Sequence, residues 1–207
     1  MRFKLLVPPI LTVSLLLAAV PVFSQVSAPY QSKGFPIAIG AGASSWDPDW
    51  GQGRMLGITA WADWYPSQLP PNLRGLGIEV EGRDVRYDRH LQPDNSDPER
   101  SGQANTTEDT IGGGPIYSWR LFKNFHPYIK FIYSVGSVDF ISPSPTYSHD
   151  TRAVMAPGGG LEYRVFRQLF ARADYEYQDW GPLLGNTLTP QGITVGFNYD
   201  FSHPTQP

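Results

Sequence analysis

The chain has 207 residues, of which 17% are charged and 14% aromatic, and it contains no cysteine. Disulfides are therefore excluded, and a formal charge of −3 with no basic run leaves no nucleic-acid-binding module and no nucleic acid as a partner. Glycine and proline (21 and 20 residues) disfavour long helices and favour strands joined by turns.

The N-terminus opens with "MRFK", a positive stretch, followed by the apolar "LLVPPILTVSLLLAAVPVF". Small or short residues ahead of Gln25 suit cleavage after Ser24. Residues 1–24 thus read as a secretory signal peptide, and 25–35 as a short lead-in to the folded part. Without Arg2 and Lys4 the balance becomes 14 basic against 19 acidic residues, a net charge of −5. Beyond residue 24 no run approaches the ~20 apolar residues of a membrane helix.

The rest of the chain alternates with a period of two, the signature of strands with unlike faces. Eight such segments follow in order: 36–45, 54–64, 74–85, 109–119, 127–139, 151–164, 169–179 and 191–201. Most are near the ~9–11 residues a tilted strand needs to cross a bilayer. The connections 46–53, 86–108, 140–150 and 180–190 are polar and mostly long; 120–126 and 165–168 are short, and 65–73 is intermediate. Long loops on one rim and short turns on the other predict an all-β fold, an eight-stranded antiparallel up-and-down transmembrane β-barrel over 36–201, with a tail at 202–207.

The two faces of the segments differ in kind. One carries Leu56, Ile58, Ile78, Val80, Ile129, Phe131, Ile193, Val195 and Phe197, with no charge in the middle of any segment, as lipid requires. Tyr and Trp recur near segment ends, as in interfacial girdles. The opposite face carries Asp63, Glu79, Glu81, Glu162, Asp174, Glu176 and Asp200 with Arg83, Lys130, Arg152, Arg164 and Arg172. In a barrel this face is the lumen, and both signs must pair there, because an isolated buried charge is very costly. Outer-membrane lipid is then the partner of the apolar face. A soluble sandwich would instead expose the charged face to water, and a soluble ligand-binding barrel would enclose an apolar cavity.

Three stretches carry a family resemblance: "HPYIKFIYSVG", "GGGLEYRVFRQLFARADYEYQ" and the terminal "TVGFNYDF". They resemble the OmpA-like eight-stranded outer-membrane barrel family over nearly all of the chain after residue 24, without the family's separate peptidoglycan-binding domain. The resemblance implies residence in the outer membrane and a structural or surface-interaction role with at most a narrow pore. It also implies that Thr194, Gly196, Tyr199 and Phe201 form the C-terminal signal read by the barrel-assembly machinery. In this chain six residues follow Phe201. The upper loops are the expected place for any surface ligand.

The alternative is a lipid A-modifying or other enzyme on the same barrel. It would need a His or acid and a Ser converging on the lipid-side upper rim. Ser148, His149 and Asp150 are consecutive and so point in different directions, and the deacylase pattern of a His and a Ser two apart on a lipid-facing strand is not present. His90 and His126 read as solvated loop and turn residues. Asp47 and Asp49, like Asp94 and Asp97, lack the spacing of a calcium loop. The glycine triplets at 112–114 and 158–160 precede no helix and so are not phosphate loops. No cofactor, metal or catalytic residue is expected.

Overall fold

The computed structural model describes residues 35–49, 53–88, 105–119, 123–141, 147–183 and 186–202. The expected signal peptide, most of the expected lead-in, His90, Asp94, Asp97, His203 and the end of the tail lie outside them. The described residues form ten strands: β1 (Ile37–Asp47), β2 (Met55–Trp64), β3 (Leu76–Tyr87), β4 (Asn105–Ser118), β5 (Phe125–Ile141), β6 (Tyr147–Arg164), β7 (Leu169–Tyr177), β8 (Pro182–Leu183), β9 (Asn186–Thr187) and β10 (Gln191–Asp200). Seven of the long strands pair with their chain neighbours, and β10 pairs with both β7 and β1. The result is a closed, all-antiparallel, eight-stranded up-and-down barrel. The two-residue strands β8 and β9 form a separate hairpin in the last upper connection.

Closure is a chemical necessity, since hydrocarbon cannot hydrogen-bond an open sheet edge. Its geometry follows from the register. Starting at Leu76, the paired residues are Tyr117, Ile129, Gly159, Tyr175, Ile193, Ser45, Leu56 and finally Arg86. One circuit therefore returns to β3 ten residues further along. A stagger of that size across eight strands tilts them by about 40°, and ten residues of strand then project to about 25 Å along the axis. That equals the ~25 Å apolar band of outer-membrane barrels. A barrel of this size has room inside for side chains only.

The faces settle which way the strands point. Ile58, Ile78, Val80, Ile111, Ile129, Phe131, Val195 and Phe197 are exposed on the outer wall, while Asp63, Glu79, Lys130, Arg172 and Glu176 are buried inside. Near the lower rim the outer wall carries Trp64, Phe125, Tyr163, Tyr199 and Phe201, with paired rings at Phe125–Tyr163 (4.9 Å) and Tyr199–Phe201 (4.8 Å). Such rings suit the headgroup level.

Several strands outrun the apolar alternation. β4 begins at Asn105, β5 reaches Ile141 and β6 begins at Tyr147, because backbone pairing continues above the bilayer after the side-chain pattern has become polar. The same extension at the lower end takes His126 into β5, where its ring is buried against Phe170 at 5.4 Å. It is a lumen residue, not a solvated turn residue.

Candidate functional site

The barrel interior is arranged in tiers. Along β3 the inward residues run Glu79, Glu81, Arg83, Val85, Tyr87 from bottom to top, and along β7 they run Arg172, Asp174, Glu176. Period two places all of these on one face, and the stagger brings them to the middle of the barrel.

Lys130 lies at the centre of the charged tier. Its ammonium donates to Glu79 Oε1 at 3.0 Å and to Glu81 Oε2, with ionic contacts to Glu176 Oε2 at 3.1 Å and Asp174 Oδ2 at 3.6 Å. Arg172 uses its fork in the same way. It donates to Glu79 Oε2 at 2.6 Å, Asp63 Oδ2 at 3.2 Å, Asp174 Oδ2 at 3.3 Å and the Tyr128 hydroxyl at 2.7 Å. The Tyr128 hydroxyl passes a hydrogen bond on to Asp174 Oδ2 at 2.9 Å. Arg83 pairs with Glu81 Oε1, contacts Glu176 Oε1 at 2.9 Å and donates through Nε to Thr59 Oγ1 at 3.1 Å. Ser44 joins Thr59 (2.6 Å) to Thr194 (2.9 Å) beside it. Five carboxylates and three cations are thus interlocked out of water, with the Arg83 guanidinium over Trp46 and that of Arg172 between Trp61 and Tyr128.

The remaining charges on the inward parity behave differently. Glu162 is buried near the lower end and accepts from Asn198 Nδ2 at 2.9 Å. Arg164 is half-buried at the lower rim, with its guanidinium over the Phe170 ring at 5.2 Å. Arg152 does not belong to the lumen network. It sits high on β6, is exposed, and pairs with Asp150 Oδ2 at 3.2 Å. Its parity is that of the lumen, but its height puts it at the mouth, where water solvates it.

Sequence reasoning missed three features here. Glu108 is buried on β4, one residue before the expected strand start. Trp46 and Trp180 were assigned to loops, yet both are buried. Trp46 packs with Met55, Val85 and Tyr87, and Trp180 with Val138, Val154 and Leu188. The upper lumen is therefore filled by two clusters of indoles and aliphatic side chains with Glu108 buried at their level, and the charged tier centred on Lys130 lies beneath them. The signal available was the inward parity of Met55, Val85, Val138 and Val154 themselves.

On the outer wall a second group gathers where β5 and β6 rise above the apolar band. Above the apolar cross-strand pair Val135↔Ala153 come Ser137↔Thr151 and then Asp139↔His149. His149 Nδ1 is 2.5 Å from Asp139 Oδ1, and His149 Nε2 is 3.2 Å from Thr151 Oγ1. Asp150 instead accepts from the Thr151 amide and from Arg152, so it is Asp139 and not Asp150 that holds the His149 ring.

Of the expected C-terminal signal, Thr194 and Gly196 face the lumen. Tyr199 and Phe201 face outward, with the Tyr199 hydroxyl donating to Gln168 Oε1 at 2.6 Å. Asp49, at φ 60°, accepts from the Thr189 amide (3.2 Å) and hydroxyl (2.7 Å), which ties the first upper loop to the last.

Comparison with known proteins agrees with this architecture. The family model described as "Outer membrane protein beta-barrel domain" matches residues 13–201. Among solved structures, Neisserial surface protein A superposes with a TM-score of 0.61 at 14% identity, covering 81% of this chain and 99% of that one. The N-terminal β-barrel domain of Pseudomonas aeruginosa OprF gives 0.50 at 15% identity, covering 81% and 100%. AlkL, an outer membrane protein solved in lipid bilayers, gives 0.50 at 14%, covering 91% and 99%. At these identities the likeness is one of fold. Among curated proteins none matches the chain. The chain belongs to the outer membrane protein β-barrel domain family and resides in the outer membrane.

Proposed function

We propose that the barrel is a closed anchor that presents its upper loops and outer wall at the cell surface, with no through-conducting pore. The observation that carries this reading is the lumen's filling. Lys130 and Arg172 each touch four carboxylate or phenol partners at mid-barrel, and Trp46 and Trp180 lie buried above them. An ion entering this space would have to displace paired charges that have no water to turn to, a cost of several kcal/mol. The function then belongs to the surfaces the barrel displays. In planar bilayers the purified protein should give no resolved conductance steps; sustained, uniform openings in the wild type would overturn the reading.

The C-terminal strand suits recognition by the barrel-assembly machinery, with Tyr199 and Phe201 in edge-to-face contact on its outer side near the lower rim. Replacing both by Ala should slow insertion into membranes containing that machinery while leaving spontaneous folding in detergent nearly unchanged. Equal slowing in both settings would assign these rings to barrel stability alone.

A further inference from the structure

The outer-wall group of β5 and β6 has the order of contacts that nucleophilic acyl transfer needs. We propose that Thr151, His149 and Asp139 form an esterase site facing the outer leaflet, with the acyl ester of a membrane lipid as its substrate class.

Three observations converge on it. First, Asp139 Oδ1 lies 2.5 Å from His149 Nδ1. A carboxylate can only accept, so Nδ1 donates to it, and in the neutral ring the Nε2 lone pair then faces Thr151. Second, the Thr151 hydroxyl lies 3.2 Å from that same Nε2. Nucleophile, base and orienting acid are thus arranged in sequence, the geometry by which such triads are recognised on any fold. Ser137 is 3.5 Å from the other nitrogen, Nδ1, which Asp139 already holds. Thr151 is therefore the nucleophile, with Ser137 as its cross-strand partner. Third, the group stands immediately above the apolar pair Val135↔Ala153, on the outward parity, with His149 about half exposed. A lipid lying along the wall places its ester linkages at this boundary between chains and headgroup.

The step balances without any cofactor. Thr151 Oγ attacks the ester carbonyl while its proton passes to His149 Nε2. The carbon–oxygen bond to the lipid alcohol breaks, and the alkoxide takes that proton. Water, deprotonated by the same Nε2, then attacks the acyl-threonine, releasing a fatty acid and restoring the Thr151 hydroxyl. The net reaction is ester and water to acid and alcohol.

The test uses the full chain folded into two kinds of vesicle, one of diacyl phosphatidylglycerol and phosphatidylethanolamine, the other containing acylated glucosamine lipid. Released fatty acid is measured by mass spectrometry. Release from one set identifies the source of the ester. Thr151→Ala and His149→Ala should each lower release by about 100-fold or more, while Thr151→Ser should retain it and accumulate a serine-linked acyl adduct. Asp139→Asn should reduce kcat with little change in KM, because it alters the tautomer and not the binding surface. Heat-shifted gel mobility verifies that each variant has folded. The proposal is overturned if neither vesicle loses acyl chains and no adduct forms with wild type or Thr151→Ser. Release at the wild-type rate from Thr151→Ala overturns it as well.

Discussion

Lys130 illustrates what a single residue does in this lumen. It sits within a shell of four carboxylates that it shares with Arg83 and Arg172, and removing it would leave one more negative charge uncompensated away from water. Lys130→Met should therefore destabilise the barrel by about 3–5 kcal/mol, read as a lower urea midpoint for unfolding in detergent. Adding Glu81→Gln should recover part of that loss, because the two sites share one network. A change under ~0.5 kcal/mol for Lys130→Met would show that its partners are solvated after all. The interior tryptophans impose a second demand. Trp61 lies against Gly40 and Trp46 against Gly192, each its direct cross-strand partner, and a Cβ on either glycine would enter the indole. Gly192→Ala should cost about 1–3 kcal/mol by overpacking. Parity alone placed Lys130, Arg172 and Glu79 on one face. Which of them meet was illegible, because contacts across the lumen depend on the stagger of all eight strands. Arg152 shows the same limit from the other side: parity gives the face of a residue but not its height.

At the scale of elements, the strands were legible where they cross lipid and blurred where they leave it. Alternation ends once both faces are wet, yet β5 and β6 continue to pair up to Ile141↔Tyr147. The Asp139–His149–Thr151 group lies on that continuation, where alternation no longer marks a strand and residues ten or more apart become neighbours across the hairpin. Trp180 was lost in the same way, since a loop assignment hides an inward side chain. The upper loops are also joined by specific contacts: the carboxylate of Asp49 holds the Thr189 amide and hydroxyl. Asp49→Ala should raise proteolytic cleavage near residues 186–190 severalfold while changing global stability by only about 1–2 kcal/mol. Unchanged cleavage would mean that this latch does not order the last upper loop.

For the molecule as a whole, the decisive property is the sense in which the sheet closes. The same alternating strands would serve a water-soluble sandwich if the apolar face turned inward. Here the sheet closes with the apolar parity turned outward and the interlocked charges filling the interior. Because the chain has no native cysteine, this can be measured one side chain at a time. Single cysteines at Ile78, Phe131 and Val195, and at Thr59, Ser134 and Thr194, can each be refolded unlabelled into vesicles whose acyl chains carry a photoactivated carbene precursor, and thiol modification read by mass spectrometry. The first three should be modified by the lipid reagent and the second three, buried in the lumen, should not. Modification at Thr59, Ser134 and Thr194 with protection at Ile78, Phe131 and Val195 would contradict the account.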